Sequence, residues 1–193
     1  IDAGILSRTH RVWTSDCIDA VSRQTIQTGF LGFFPPEVMG SHIGASPAHS
    51  TGRSQSMAFR AATALPGHFG VELDPRSLSQ AEHQEMSDWI TLYKSIRSLL
   101  HTGAIWQGSA GDGVVWQAFG AATDFILFVH RIEPTKQRFP PRLRLVFTEA
   151  SAAYRIDRID PNKGQYDAPP PEFLSVIEAG TASAHGSWLS ALG

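Results

Sequence analysis

The apolar positions of this chain change period once, near Gly103, and that change divides what the sequence predicts. Before it the spacing is mostly helical. Val12 and Trp13 read as the end of a short buried strand, and from Asp19 to Phe30 apolar residues such as Ala20, Ile26 and Phe30 recur at roughly helical steps. That helix should reach about Gly32, because Phe33-Phe34-Pro35-Pro36 follows and proline both lacks the backbone donor and disfavours helical backbone before it. Glu37 to His42 then reads as a strand of small and apolar residues with His42 near its end. The run GSHIGASPAHSTGR, which holds His42, His49 and Arg53, is rich enough in Gly, Ser and Pro to be an irregular loop that lets backbone approach a ligand.

A helix is predicted over 54–65, with Met57, Phe59 and Ala61 to Ala64 supplying its apolar surface and Pro66-Gly67 ending it. His68-Phe69-Gly70 is expected to form a turn. Ser79 and Glu82 have the spacing of a capping box, in which each side chain satisfies the other's free backbone N–H, so a helix should start at Gln80. Met86, Trp89, Ile90, Tyr93, Ile96 and Leu100 continue it at three- and four-residue steps for about 30 Å, and Gly103 sits where a left-handed cap is wanted. At that spacing Trp89 and Tyr93 are core residues rather than sugar-stacking aromatics.

Beyond Gly103 the period is two. Ala104 to Gln107 and Val114 to Phe119 flank a glycine-rich hairpin signal, Ser109-Ala110-Gly111-Asp112-Gly113. Further strands are predicted at Asp124 to Ile132, Arg142 to Thr148 and Tyr154 to Ile159, with Arg155, Asp157 and Arg158 on a solvated face. Pro134 to Pro141 and Pro169-Pro170-Pro171 read as connections between strands.

Composition narrows the function classes. The chain has 193 residues, 42% of them hydrophobic, which is enough for one or two domains with a sizeable core. A net charge of −2 and no basic run give no electrostatic footprint for phosphate backbones or anionic membranes, so neither nucleic acid nor membrane partners are expected. No apolar run approaches the roughly 20 residues that span a bilayer. The lone Cys17 excludes an internal disulfide and fits a reducing, cytoplasmic compartment. There is no Walker-type loop, Gly-x-Ser-x-Gly elbow, dinucleotide fingerprint or His-Glu-x-x-His motif, so nucleotide, serine-nucleophile and zinc chemistry have no support and no cofactor is expected.

The remaining candidate chemistry lies in RVWTSDCIDAVSRQTIQ, where a strand end meets a helix start and two carboxylates, Asp16 and Asp19, fall between them. A carboxylate there can cap the helix by accepting from its free N–H groups. It can also serve catalysis, since strand ends in α/β barrels hold reactive groups at the mouth that opens to substrate. VWTSD, the helix with RQTIQ, FFPPEVMGSHIG and HSTGR, in that order, resemble the end of the catalytic barrel of glycoside hydrolase family 36 α-galactosidases.

The resemblance implies an α/β plus β fold: residues 1–103 as the C-terminal part of a TIM (β/α)8 barrel and 104–193 as a small antiparallel β-sandwich domain whose last strand lies beyond the chain. It makes Glu37 to His42 the last barrel strand and favours helix over strand in 1–10. It implies that Asp16, the first aspartate of the family's Ser-Asp-Asn-Thr-Asp run, is the general acid/base, with Cys17, His42 and Arg53 near the sugar. Cys17 and Ile18 replace the family's Asn and Thr, which bears on substrate preference more than on chemistry. Asp19 is expected to cap the helix or orient the acid loop.

A retaining glycosidase needs two carboxyl groups about 5 to 5.5 Å apart, one attacking the anomeric carbon while the other protonates the leaving oxygen and later activates water. The family's nucleophile sits in a Lys-x-Asp context on an earlier strand, which these residues do not contain, and the Gly-rich run that precedes Asp-Leu-Gly-Ile-Leu in the family is missing ahead of Ile1. The expectation is a segment truncated at both ends, inactive alone, from a homo-oligomeric parent that hydrolyses terminal α-galactosides of the raffinose and melibiose type. Two other readings stand beside it: a galactosyl transferase or α-N-acetylgalactosaminidase on the same fold, separated by the pocket around the sugar's 2-substituent, and a non-catalytic carbohydrate-binding fragment, whose sugar binding would survive Asp16→Asn.

Overall fold

The structure, a computed structural model, describes residues 3–135, 137, 141–157, 159 and 181–185. The expectations for Arg158, for Pro169-Pro170-Pro171 and for the C-terminal 186–193 lie outside the described residues. A short helix α1 (Ala3–Leu6) precedes strand β1 (Val12–Trp13), helix α2 (Ala20–Leu31), strand β2 (Met39–Gly44), helix α3 (Met57–Ala64), strand β3 (His68–Glu72) and the long helix α4 (Gln80–Thr102). Strands β4 (Ala104–Gly111), β5 (Val114–Ala121) and β6 (Asp124–Arg131) follow, and then β7 (Ala153–Asp157) and β8 (Thr181–His185).

The first three strands form a parallel sheet in the order β1-β2-β3, each joined to the next through a helix, as parallel neighbours require. Alternation along β2 sorts its side chains. Met39 and Ile43 enter the hydrophobic core and Ser41 Oγ donates to Gln27 Oε1 of α2 at 2.9 Å, so the odd positions face the helices. Gly40, His42 and Gly44 face the other way, in register with His68, Gly70 and Glu72 of β3. β4, β5 and β6 form an antiparallel meander, and β7 pairs antiparallel with β8.

Helix α4 joins the two sheets. Its capping box is present, with Ser79 Oγ accepting from Glu82 N and Glu82 Oε2 from Ser79 N, so it begins at Gln80 as predicted. Met86, Trp89, Tyr93 and Leu100 are buried in one cluster that also contains Met39, Ile43 and Leu65 on one side and Phe119 and Phe128 on the other. The hairpin turn of β4 and β5 falls on Asp112-Gly113, both with positive φ (49° and 68°), the geometry that lets a two-residue turn follow the strand twist.

Three expectations are corrected. His68-Phe69-Gly70 is the start of β3, not a turn, so β2 is not the last parallel strand. Phe69 stacks on Tyr93 of α4 with ring centroids 5.3 Å apart, and this packing secures a strand that its glycine and histidine disguise. Arg142 to Thr148 keeps the predicted alternation, with Leu145 buried and Arg142 and Arg144 exposed, but forms no strand. Thr148 N donates to Leu145 O, closing a turn, and Phe147 lies flat on Trp106 at 4.1 Å. Gly103 has φ −90° and ψ 177°, so it is no left-handed cap. Glycine is needed there because a Cβ would stand 2.3 Å from Gly120 Cα and 2.5 Å from Gly120 O.

Two outcomes follow from this packing. Gly103→Ala must push α4 away from β5 and is expected to cost about 2 kcal/mol, read from urea unfolding midpoints of the intact protein. His130, on β6 and edge-on to Phe59 of α3, is lowered from 6.5 to about 4 by burial. The unfolded chain takes up that proton near 6.5 and the folded chain only near 4, so stability should be flat above pH 6.5 and fall as pH drops toward 4. His130→Phe, which keeps a ring and removes the proton site, should flatten part of that fall in melting temperatures taken across this range.

Candidate active site

The C-terminal ends of the parallel strands bring together the loop after β1, the loop 45–56 after β2, and Glu72 at the end of β3. The first loop passes into α2 at Asp19, whose Oδ1 accepts from Val21 N at 3.3 Å and whose Oδ2 accepts from Ser22 Oγ at 2.7 Å. The Arg53 guanidinium, from the second loop, closes an ion pair on the same Oδ2. Asp19 is fully buried, and an anion is favoured there because the first N–H groups of a helix have no partners of their own. Asp19 is therefore the cap, as expected, and Asp16 is left exposed at the tip of the loop.

That loop is held from below. Cys17 N donates to Ser15 Oγ at 3.0 Å, and the buried Arg23 of α2 donates from Nη1 to Ser15 O at 3.3 Å and Cys17 O at 2.8 Å, and from Nη2 to Gly40 O at 3.5 Å. Burial holds Arg23 below its ordinary value, opposed by Cys17 and Glu72. Arg60 of α3, also buried, donates to Gly44 O at the end of β2. The second loop is closed by Ala48 N to Arg53 O and Gly52 N to Ala48 O, and Gly52 takes the positive φ of 69° that this turn requires.

The four residues expected at the site are all at or just beneath this edge. Cys17 is half-buried, with Sγ 3.7 Å from Ser50 Oγ, so it joins the two loops. Arg53 is half-exposed beyond its pairing with Asp19. His42 is buried in β2, its ring parallel to that of Trp13 at 4.3 Å. Burial first, and the Arg23 charge second, lower His42 to about 4, so the ring is neutral at neutral pH. The Glu72 carboxylate abuts its Nε2, yet neither ring nitrogen has a hydrogen bond. Ile18, unlike Cys17, is turned inward against Gly44, where an added Cβ would stand 2.7 Å from Ile18 Cβ. His49 lies exposed on the second loop.

Sequence reasoning missed Arg23, Trp13 and Glu72. A signal for Arg23 was present: Ala20, Arg23, Gln24, Gln27, Phe30 and Leu31 follow helical spacing, and all six are buried. Among the described residues no group of three or more His, Cys, Asp or Glu could hold a metal, and no helix is long and apolar enough to cross a membrane.

Parallel strands alternating with helices, with polar groups gathered at the C-terminal strand ends, define an α/β protein of the kind that meets its ligand at that edge. The chain belongs to the melibiase family, whose family model matches residues 1–103. It is 40% identical over 164 residues to an α-galactosidase of Escherichia coli, covering 83% of this chain and 23% of that protein. Among solved structures it is similar to the galactosidase domain of an α-galactosidase–sucrose kinase, an enzyme of Mediterraneibacter gnavus (TM-score 0.80, 28% identity, 98% of this chain and 24% of that one). It is also similar to a family 36 α-galactosidase variant of Geobacillus stearothermophilus in complex with raffinose (TM-score 0.77, 26% identity, 98% and 24%). The chain thus spans about a quarter of the length of the relatives it matches.

Asp19→Ala removes both cap and ion pair and is expected to cost about 3 kcal/mol. Arg53→Ala should cost less, about 2 kcal/mol, because the buried carboxylate loses its counter-ion but keeps the Val21 and Ser22 hydrogen bonds. Melting curves of the two variants of the intact protein check the order.

Proposed function

We propose that the protein to which this chain belongs hydrolyses terminal α-linked galactose from oligosaccharides by a retaining two-carboxylate mechanism, with Asp16 as acid/base. What carries the reading is the position of Asp16 in a melibiase-family chain: an exposed carboxylate just past the C-terminal end of a parallel strand, on a loop fixed by buried groups. Residues 1–103 would form the C-terminal part of a (β/α)8 barrel and 104–193 a β domain packed on it through α4. The edges of β1 and β3 would then pair with strands contributed by the rest of the barrel, as closure requires.

In this mechanism the nucleophile comes from a part of the protein outside these residues. Asp16 gives its proton to the leaving oxygen as the galactosyl–oxygen bond breaks, then takes a proton from the water that releases the sugar. Cys17 and the exposed part of Arg53 would border the sugar, while His42 acts from beneath by supporting the Trp13 ring. Binding of raffinose by a related enzyme and the α-galactosidase activity named for the relatives support the substrate class.

Asp16→Asn in the intact protein should lower kcat for melibiose by about 10² to 10⁴-fold, the share a general acid–base group contributes. The isolated 1–193 chain should show no turnover of a nitrophenyl α-galactoside. Turnover by the isolated chain that is abolished by Asp16→Asn would overturn the assignment of the nucleophile to another segment.

A further inference from the structure

Arg23 is a buried cation whose described hydrogen bonds all go to carbonyl oxygens, and two of these, Ser15 O and Cys17 O, lie on either side of Asp16. The third, Gly40 O, belongs to the neighbouring strand β2. One rigid guanidinium therefore ties the carbonyls of both residues adjacent to the exposed aspartate to the sheet. Fixing the carbonyls of the residues before and after it restricts the direction the Asp16 side chain can take, whereas a loop tip is otherwise free to move. A planar fork of donors is suited to this task, and a lysine ammonium, a point donor, is not. Burial of an arginine without a carboxylate on its donors is costly, so its presence under this loop calls for a reason.

We propose that Arg23 is a positioning residue for proton donation: it aims Asp16 at the leaving oxygen without touching substrate. The inference rests on the reading of Asp16 as acid/base and adds to it a residue and a measurable signature. Donation matters most when the departing oxygen is a poor leaving group, such as a sugar hydroxyl, and least when it is a nitrophenol, which departs readily as the anion. Misaiming the acid should therefore depress the two substrate classes unequally. Simple loss of folded protein would depress them alike.

The test uses the intact protein with melibiose and 4-nitrophenyl α-D-galactoside. Variants Arg23→Gln, Arg23→Lys and Asp16→Asn are compared, with Arg60→Lys as a control at a buried arginine that bonds Gly44 instead. Arg23→Gln is expected to lower kcat/KM, which reports the bond-breaking step alone, about 10²-fold on melibiose, the effect of a ~1 Å misplacement, and far less on the aryl galactoside. Arg23→Lys should lie between Gln and the parent, Asp16→Asn should share the bias in stronger form, and Arg60→Lys should leave the ratio of the two substrates unchanged. Equal losses on both substrates, or no loss on either, for the Arg23 variants would overturn the proposal. Should Arg23→Gln fail to fold, the substrate ratio of Arg23→Lys decides, and a ratio equal to the parent's overturns it. An unbiased Asp16→Asn would instead remove the acid/base reading itself, which separates that failure from a failure of Arg23.

Discussion

The buried carboxylate of Asp19 is the interaction on which the geometry of the strand ends depends. It lies where α2 begins, and its partners come from three directions: the helix backbone at Val21, the Ser22 hydroxyl and the Arg53 guanidinium of the next loop. Each partner alone is ordinary. Together they fix where α2 starts relative to β1, so the helix face carrying Arg23 meets the loop below Asp16, and they dock the 45–56 loop against the same helix end. An uncompensated buried anion would be costly, and the helix N–H, the hydroxyl and the guanidinium share that compensation.

The other end of α2 is tied to the antiparallel sheet. Gln107 of β4 donates to Thr28 O at 3.1 Å and Gln117 of β5 to Thr28 Oγ1 at 3.2 Å. With α4 packed between the two sheets by Leu100, Phe119 and Phe128, the helix behind the candidate acid is anchored at both ends. The β region thereby contributes to the rigidity of a site it does not enter. Close backbone approach at Gly103 and Gly120 makes that junction intolerant of even one methyl group.

Local rules and family resemblance together made much of this legible. The capping box of α4, the Asp-Gly hairpin and the core placement of Trp89 and Tyr93 are short-range or periodic features, and the resemblance to family 36 rested on motifs within the matched residues 1–103. What escaped depended on partners distant in sequence. His68 to Glu72 follows Pro66-Gly67 and carries a glycine at its centre, so it reads as a turn by composition, and β2 pairs with it and Tyr93 covers Phe69 to make it a strand. The 142–148 segment alternates correctly, yet Phe147 packs on Trp106 and a local turn forms in place of a ladder. His42 was read as a residue near the mouth; its burial under Trp13 follows from the tertiary packing of two strands.

The two aspartates of Ser15-Asp16-Cys17-Ile18-Asp19 are sorted by their surroundings into different kinds of group. Asp19 is taken up by the Arg53 guanidinium, the Ser22 hydroxyl and the helix N-terminus. Asp16, three residues earlier, is exposed instead. Among the described residues the Asp16 side chain has no ion-pair partner, although a buried arginine lies directly beneath its loop. Arg23 reaches this compromise by spending its donors on peptide oxygens. It restrains the backbone on either side of Asp16 while leaving that carboxylate without a cation on it, which a direct Arg23–Asp16 pair would prevent.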